Sequence, residues 1–420
     1  MNTGMHRDDA FASNVPRFFL YTALQGFAFG LITALWLIYL LQRRGLTLTQ
    51  ATIVDVAFWI ASALGELPTG IVADRYGRKT SLAIGATLLS VSILAWAYAP
   101  TMPLIMLAYV GLAIGTTFLT GAQDAFFYET LERSGRDGEY TRLVGRVSAT
   151  MLGATALGSI ASGLFATIDL IMPFLAAGVC LLAMLGVVLT FKEPRSKEGS
   201  AWQPAQSYTQ VLRHSLALMR ARPTLRYPMI YLTLVPLAAV VMETFFLQPQ
   251  AVSLGLPVAG VGAVVMAVQI VDMAGSTWSD AIEARLGARR AFYAAPVLII
   301  SSLVLLGLLQ ILPALLFIAI IGFVTAVLRP LLLNRIQNEV PDDVRATVLS
   351  MQSLMFTFLL AISEPALGIV ADQSGLPAAY FGLAGGLSIL VLLLLLKSRR
   401  YFPAESRENE PATNKLEANA

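Results

Sequence analysis

The sequence predicts an all-α polytopic membrane protein of twelve transmembrane helices arranged as two pseudo-symmetric six-helix bundles. Three observations predict it. The 420 residues are 56% hydrophobic and 13% charged, with a mean hydropathy of +0.70, and no soluble core needs that much apolar sequence. Apolar runs of about 20 residues, the length of helix that crosses a hydrocarbon core of about 30 Å, recur twelve times. A shift of 210 positions also lays parts of one half on the other: Arg75 falls on Arg285, Gly77 on Gly287, Lys79 on Arg289 and Glu129 on Glu339.

The spans are read at 17–41, 51–73, 80–98, 103–131, 143–167, 171–191, 228–249, 258–281, 291–311, 313–336, 346–370 and 377–396. No small-residue cleavage site follows the first, and its apolar stretch is too long for a signal-peptide core, so it is expected to be a permanent helix. Residues 70–79 fall at a two-to-six-residue charged connection between spans two and three, and "TGAQDAFFYETLERSGR" closes span four. The longest internal polar stretch, 192–227, divides the spans six and six. It opens as a flexible linker, "KEPRSKEGS", and then sets Leu212, Leu216 and Met219 among Arg213, Arg220 and Arg222, a pattern suited to a helix at the membrane interface. The expected organisation is a bundle over 1–191, a central loop over 192–227, a second bundle over 228–400 and a disordered polar tail over 401–420.

Lys and Arg set the orientation, because cations near span ends stay cytoplasmic. Apart from Arg43, Arg44 and Arg329, every Lys and Arg falls on the side of the N-terminus, which predicts both termini in the cytoplasm. The pI of about 9.0 is then a topology signal, and a net charge of +3 carries no nucleic-acid inference. One cysteine, Cys180, excludes an internal disulfide and a multi-cysteine metal site, and two histidines, His6 and His214, supply no haem pair, zinc site or proton relay within the spans. No metal or cofactor is expected, and no enzyme activity. The absence of "GxxxxGK[ST]" argues against ATP-driven pumping.

In "GIVADRYGRK", residues 70–79, Gly70 is expected to let helices approach, Gly77 to permit a tight turn, and Arg75, Arg78 and Lys79 to stay at the headgroups. Asp74 is the odd member: a neighbouring helix N-terminus or arginines would stabilise it, a contact that can be made and broken. Gly70, Asp74, Arg75, Gly77, Arg78 and Lys79 resemble the loop 2–3 signature of the major facilitator superfamily. The resemblance extends through the twelve-span count, the six-plus-six split, "FKEP" after span six and "NEVPDDVRATVLS" between spans ten and eleven. It implies a monomeric permease whose halves rock about a central solute site, with this loop latching one conformation against span eleven. Span four lacks an arginine before its acidic end and span five lacks a Gly-Pro element, two departures from the drug/proton antiporters of that superfamily.

Ionisable residues within spans invite functional readings. Asp55, Trp59, Ser62, Glu66 and Thr69 form a helical stripe on span two, and Gln269, Asp272, Ser276 and Ser279 repeat it on span eight. Glu66 and Asp272 are candidates for coupling or for bundle structure. Glu243, on a helix that lines the cavity in the family, is a candidate proton exchanger or a structural partner. Glu364 precedes Pro365 and is expected to accept hydrogen bonds freed by the kink. Glu129 is expected to pair with Arg142 or Arg146. Asp124 and Arg329 are expected to meet, or share a substrate, when the cytoplasmic side is shut. Arg329 could instead bind an anionic solute or satisfy carbonyls loosened by Pro330, and Gln25 presents an amide to substrate or to a neighbouring helix.

The favoured expectation is a secondary transporter of the cytoplasmic membrane that exports drug-like or amphipathic compounds in exchange for protons. The alternatives are uptake symport or uniport of a polar or anionic nutrient, with Arg329 as ligand, and a transporter-like receptor or scaffold without net flux.

Overall fold

The computed structural model describes residues 9–194, 213, 223–339 and 342–398. The linker beyond Pro194, the interfacial segment around Leu212, Leu216 and Met219, and the tail from Tyr401 lie outside the described residues. Among the described residues there are twelve helices long and apolar enough to cross a membrane, and no strand.

The first six spans are Asn14–Thr33, Leu48–Tyr76, Arg78–Tyr98, Met102–Arg133, Tyr140–Ala166 and Met172–Leu189. Span seven runs from Pro223–Val241 through a π turn, Met242–Phe246, into Leu247–Ser253. Spans eight to twelve are Val258–Thr277, Ala288–Leu308, Leu316–Glu339, Asp342–Ser374 and Leu376–Ser398. Odd spans start at the end of the molecule that carries Asn14, the near end, and even spans start at the far end. Asn14 confirms the arrangement locally: its Nδ2 donates to the carbonyl of Lys192 at 2.8 Å and its Oδ1 accepts from Lys192 N at 3.0 Å, joining the start of span one to the end of span six.

Local signals explain several boundaries. Thr47 and Gln50 form a reciprocal capping box at the start of span two, with Gln50 N donating to Thr47 Oγ1 at 3.2 Å and Thr47 N to Gln50 Oε1 at 3.1 Å. Span two ends at Gly77, whose φ of 100° lies in the left-handed region that favours glycine. Gly287, 210 positions later, has φ 77° and performs the same turn between Ser279–Leu286 and span nine. The repeat reaches individual hydrogen bonds. Thr69 Oγ1 donates to the Thr117 carbonyl at 3.2 Å, and Ser279 Oγ donates to the Val327 carbonyl at 2.8 Å, both partners displaced by the same 210.

Span one departs from the expected continuous helix over 17–41. Its regular hydrogen bonding stops at Thr33, and Leu35 adopts φ −137° and ψ 5° before Trp36–Ile38 and a π turn, Tyr39–Arg43. Buried backbone groups freed by such a break need partners. Gln248 of span seven supplies them: its Nε2 donates to the Thr33 carbonyl at 2.9 Å, and its Oε1 accepts from Leu37 N at 3.2 Å and Ile38 N at 3.4 Å.

Within the first half, span one packs on five and six, two on four, and three on four and six; within the second, seven packs on ten and eleven, eight on ten, and nine on ten and twelve. Between halves, span two lies along eleven and span five along eight. The closest approaches use glycine. A Cβ on Gly262 would overlap the Ser159 carbonyl oxygen, and one on Gly163 would overlap that of Ala259. Gln248 and these crossings bring the halves together toward the far end.

Candidate functional site

Glu243 stands in the π turn of span seven, a local widening that re-aims side chains and recurs at functional positions. Its carboxyl group meets that of Asp272, from span eight, over Gly322 of span ten. A Cβ on Gly322 would overlap both Glu243 Oε1 and Asp272 Oδ1, so the absent side chain is what admits the two groups. Each of these oxygens is buried without a hydrogen-bond partner. Ser62, the counterpart of Asp272 in the first half, also has a buried hydroxyl without a partner. What these two oxygens lack is a hydrogen-bond donor.

A second acidic pair lies between the halves, along spans two and eleven. Asp55 is 5% exposed and accepts from Trp59 Nε1 at 2.6 Å and from the Tyr109 hydroxyl. Glu364, 1% exposed, faces Asp55, and both its carboxyl oxygens are buried without partners. This overturns the expectation that Glu364 accepts bonds freed at Pro365. Aromatic rings surround the region: Tyr109 stacks on Trp36 at 5.9 Å and lies 5.3 Å from Phe58, while Trp36 meets Phe245 of span seven edge-on at 5.5 Å. Further out, Asp372 Oδ1 accepts from Leu48 N at 3.0 Å, and Oδ2 accepts from Thr49 N at 2.9 Å and Thr49 Oγ1 at 2.6 Å.

The connection between spans two and three is held inside the first half. Arg78 Nη1 pairs with Asp74 Oδ1 at 2.7 Å, and its Nε lies 3.5 Å from Glu129 Oε1 of span four. Glu129 is thus a partner of Arg78, which overturns its expected pairing with Arg142 or Arg146; both of those arginines act on Glu139 instead. Glu193, in the quoted "FKEP", accepts from Arg78 N at 3.0 Å and Lys79 N at 2.8 Å, an anion on the first amides of span three. Lys79 Nζ donates to the Leu189 carbonyl at 2.8 Å, and the Arg75 guanidinium lies 5.6 Å from the Tyr76 ring. Gly70 does not serve close approach here, since a Cβ on it would meet nothing within 4 Å. Glu193→Gln keeps an acceptor but removes the charge from the helix start, and is expected to lower stability by about 1 kcal/mol, read as a reduced melting temperature of the purified protein.

A model of the Major Facilitator Superfamily matches residues 18–364. The chain belongs to the Major Facilitator Superfamily. YxaM of Bacillus subtilis (strain 168), an uncharacterized MFS-type transporter, is 26% identical over 207 residues, 48% of this chain and 50% of that protein, so the match spans about half of the relative's length. Among solved structures, the nucleoside transporter NupG superposes with TM-score 0.76 at 16% identity, covering 91% of this chain and 98% of that one. The D-xylose-proton symporter gives 0.69 at 15% identity over 92% and 98%. A bacterial homolog of the human lysosomal transporter Spinster, in an inward-facing and unoccupied conformation, gives 0.71 at 15% over 94% and 100%. These likenesses show the superfamily's fold.

Within this superfamily member, the remaining candidates are dispersed. Gln25 is buried at 6% exposure in span one, whereas Glu66, Asp124 and Arg329 are exposed. Asp124 lies beside Tyr21, whose hydroxyl donates to Gln123 Oε1 at 3.3 Å, and no ion pair joins Asp124 to Arg329 in this conformation. Sequence reasoning named Glu243 and Asp272 separately but missed that they meet. It also missed Glu193 and Asp372. For Asp372 a signal existed: "GIVAD" occurs twice, at 70–74 and at 368–372, closing spans two and eleven at opposite ends of the molecule.

Proposed function

We propose that this superfamily member moves a small solute by alternating access in the cytoplasmic membrane, as a monomer with both termini in the cytoplasm, and that it exports amphipathic, drug-like compounds in exchange for protons. The observation that carries the reading is the Glu243–Asp272 pair over Gly322. Two carboxyl groups this close, with oxygens that no protein donor reaches, take up a proton or a donor-bearing solute, and they cannot both stay ionised without a cation. Competition between the two occupants is what couples them. The loop 2–3 network supports a latch: Asp74 and Arg78 sit at a helix end where their contacts can be exchanged as the halves rock.

The test uses the purified protein in liposomes under an imposed pH gradient, following lipophilic cations, neutral drugs and organic anions by mass spectrometry. Gradient-driven accumulation of drug-like members is expected, and Glu243→Gln or Asp272→Asn should lower it at least about tenfold while solute binding persists. Coupling that survives both substitutions would remove the pair from this role. Exposed Arg329 favours a second reading, uptake of an anionic nutrient. Preference for anions, with dependence on Arg329 and not on Glu243, would select it. Saturable binding without flux would instead mark a receptor.

A further inference from the structure

The contact between spans two and eleven is an antiparallel seam with a regular order. On span eleven, Glu364, Gly368 and Asp372 recur every fourth residue and so lie on one face. On span two their partners follow in reverse: Asp55 opposite Glu364, Thr52 and Thr49 opposite Gly368, and Thr49 with Leu48 opposite Asp372. A Cβ on Gly368 would lie 3.0 Å from Thr49 Cα and 3.0 Å from Thr52 Oγ1, so the two backbones are nearly in contact at the middle of the seam. At its outer end, the first amides of span two and the Thr49 hydroxyl donate to Asp372.

The inner end differs. Asp55 has two donors, Trp59 Nε1 and the Tyr109 hydroxyl, whereas Glu364 has none for either oxygen although it is 99% removed from solvent. The titratable groups that face this position are Asp55 from span two, Glu364 from span eleven and Tyr109 from span four, and none of them carries positive charge. An ionised Glu364 closed against an ionised Asp55 would be two anions in a sealed space with no counter-ion. A proton on Glu364 removes one charge and supplies the donor that the site lacks.

We propose that Asp55 and Glu364 form a proton-binding site that locks the far end shut, one proton being held on this acidic pair while spans two and eleven are in contact and returning to far-side water when they part. This lock proton is separate from the one exchanged at Glu243 and Asp272. It makes closure of the far end depend on the pH of the compartment that the far end faces. Acid favours the closed seam, and alkali favours its opening by leaving both carboxylates charged. The inference rests on alternating access as proposed above and does not depend on which solute is carried.

The test places spin labels at Gln42→Cys and Ser374→Cys, exposed far-end positions on opposite halves, in a Cys180→Ser background, and reads their separation by pulsed electron paramagnetic resonance in lipid nanodiscs without solute. A single short-distance population is expected in mildly acidic buffer and an added longer-distance population in mildly alkaline buffer. Asp55→Asn combined with Glu364→Gln should keep the short distance in both buffers, and Glu364→Gln alone should lose most of the response. Glu243→Gln with Asp272→Asn should respond as the unsubstituted pair does. A distance that ignores pH in the parent, or a pH response that survives the Asp55–Glu364 double substitution, overturns the lock. A separation that neither pH nor a methyl group forced into the crossing of spans five and eight at Gly262 can change would overturn alternating access itself.

Discussion

Gly262→Ala is expected to hold the far end open. Gly262 of span eight crosses Ser159 of span five at the boundary between the halves, and its missing Cβ leaves room for a backbone carbonyl. One turn nearer the far end the roles reverse, with Gly163 of span five against the carbonyl of Ala259. A side chain in the way can rotate; a carbonyl locked in a helix cannot, so an added methyl group must push the two helices apart. Overpacking of this kind costs about 1–3 kcal/mol. Because spans five and eight belong to different halves, separation along their boundary relieves the overlap without disturbing either bundle. A bias of about 2 kcal/mol shifts the ratio of open to closed forms about thirtyfold. The labels at Gln42 and Ser374 read it directly: the longer distance should dominate in acidic buffer, where the parent is closed. Solute flux should fall in parallel, since a far end that cannot shut cannot complete a cycle. If the distance distribution is unchanged, spans five and eight are not a moving boundary.

The parts of this structure that were legible in the sequence are those set by local or repeated chemistry. Hydropathy alone located the twelve spans, because the bilayer imposes one length on every crossing helix. The 210-residue echo anticipated the matched turns at Gly77 and Gly287 and the face shared by Thr69 and Ser279, since a repeat that keeps a turn residue keeps its turn. What escaped depended on partners far away in the chain. The interruption after Thr33 has no proline or glycine to announce it and exists because Gln248 receives the freed backbone groups. Glu129 had basic candidates close in sequence, yet Arg78, brought over by the packing of spans two and three on four, took it. Glu364 was read through its neighbour Pro365, whereas its surroundings come from the other half. Gly70 looked like a contact residue because it is glycine in a helix, a property that does not say which face meets protein.

Gly322→Ala should be the sharpest test of the Glu243–Asp272 pair, because it leaves both carboxyl groups in the chain and alters only where they stand. Gly322 is buried in span ten with Glu243 Oε1 and Asp272 Oδ1 occupying the volume a methyl group would need. Alanine is the better helix former by about 1 kcal/mol, so the helix itself is not weakened and the protein should still fold. The two carboxyl groups must then swing apart, each toward a different neighbour, and the proton that the proposed coupling places on the pair would sit on one or the other. Displacements of about 1 Å at a site of this kind cost about a hundredfold in rate, and gradient-driven flux in liposomes is expected to fall by that order. Glu243→Gln removes a titratable group and is expected to lower coupling for a different reason, so the informative comparison is between the two. Loss in Gly322→Ala comparable to loss in Glu243→Gln means that the carboxyl groups work as a contact pair. Full coupling in Gly322→Ala with none in Glu243→Gln means that Glu243 titrates alone, and that its nearness to Asp272 is a matter of packing.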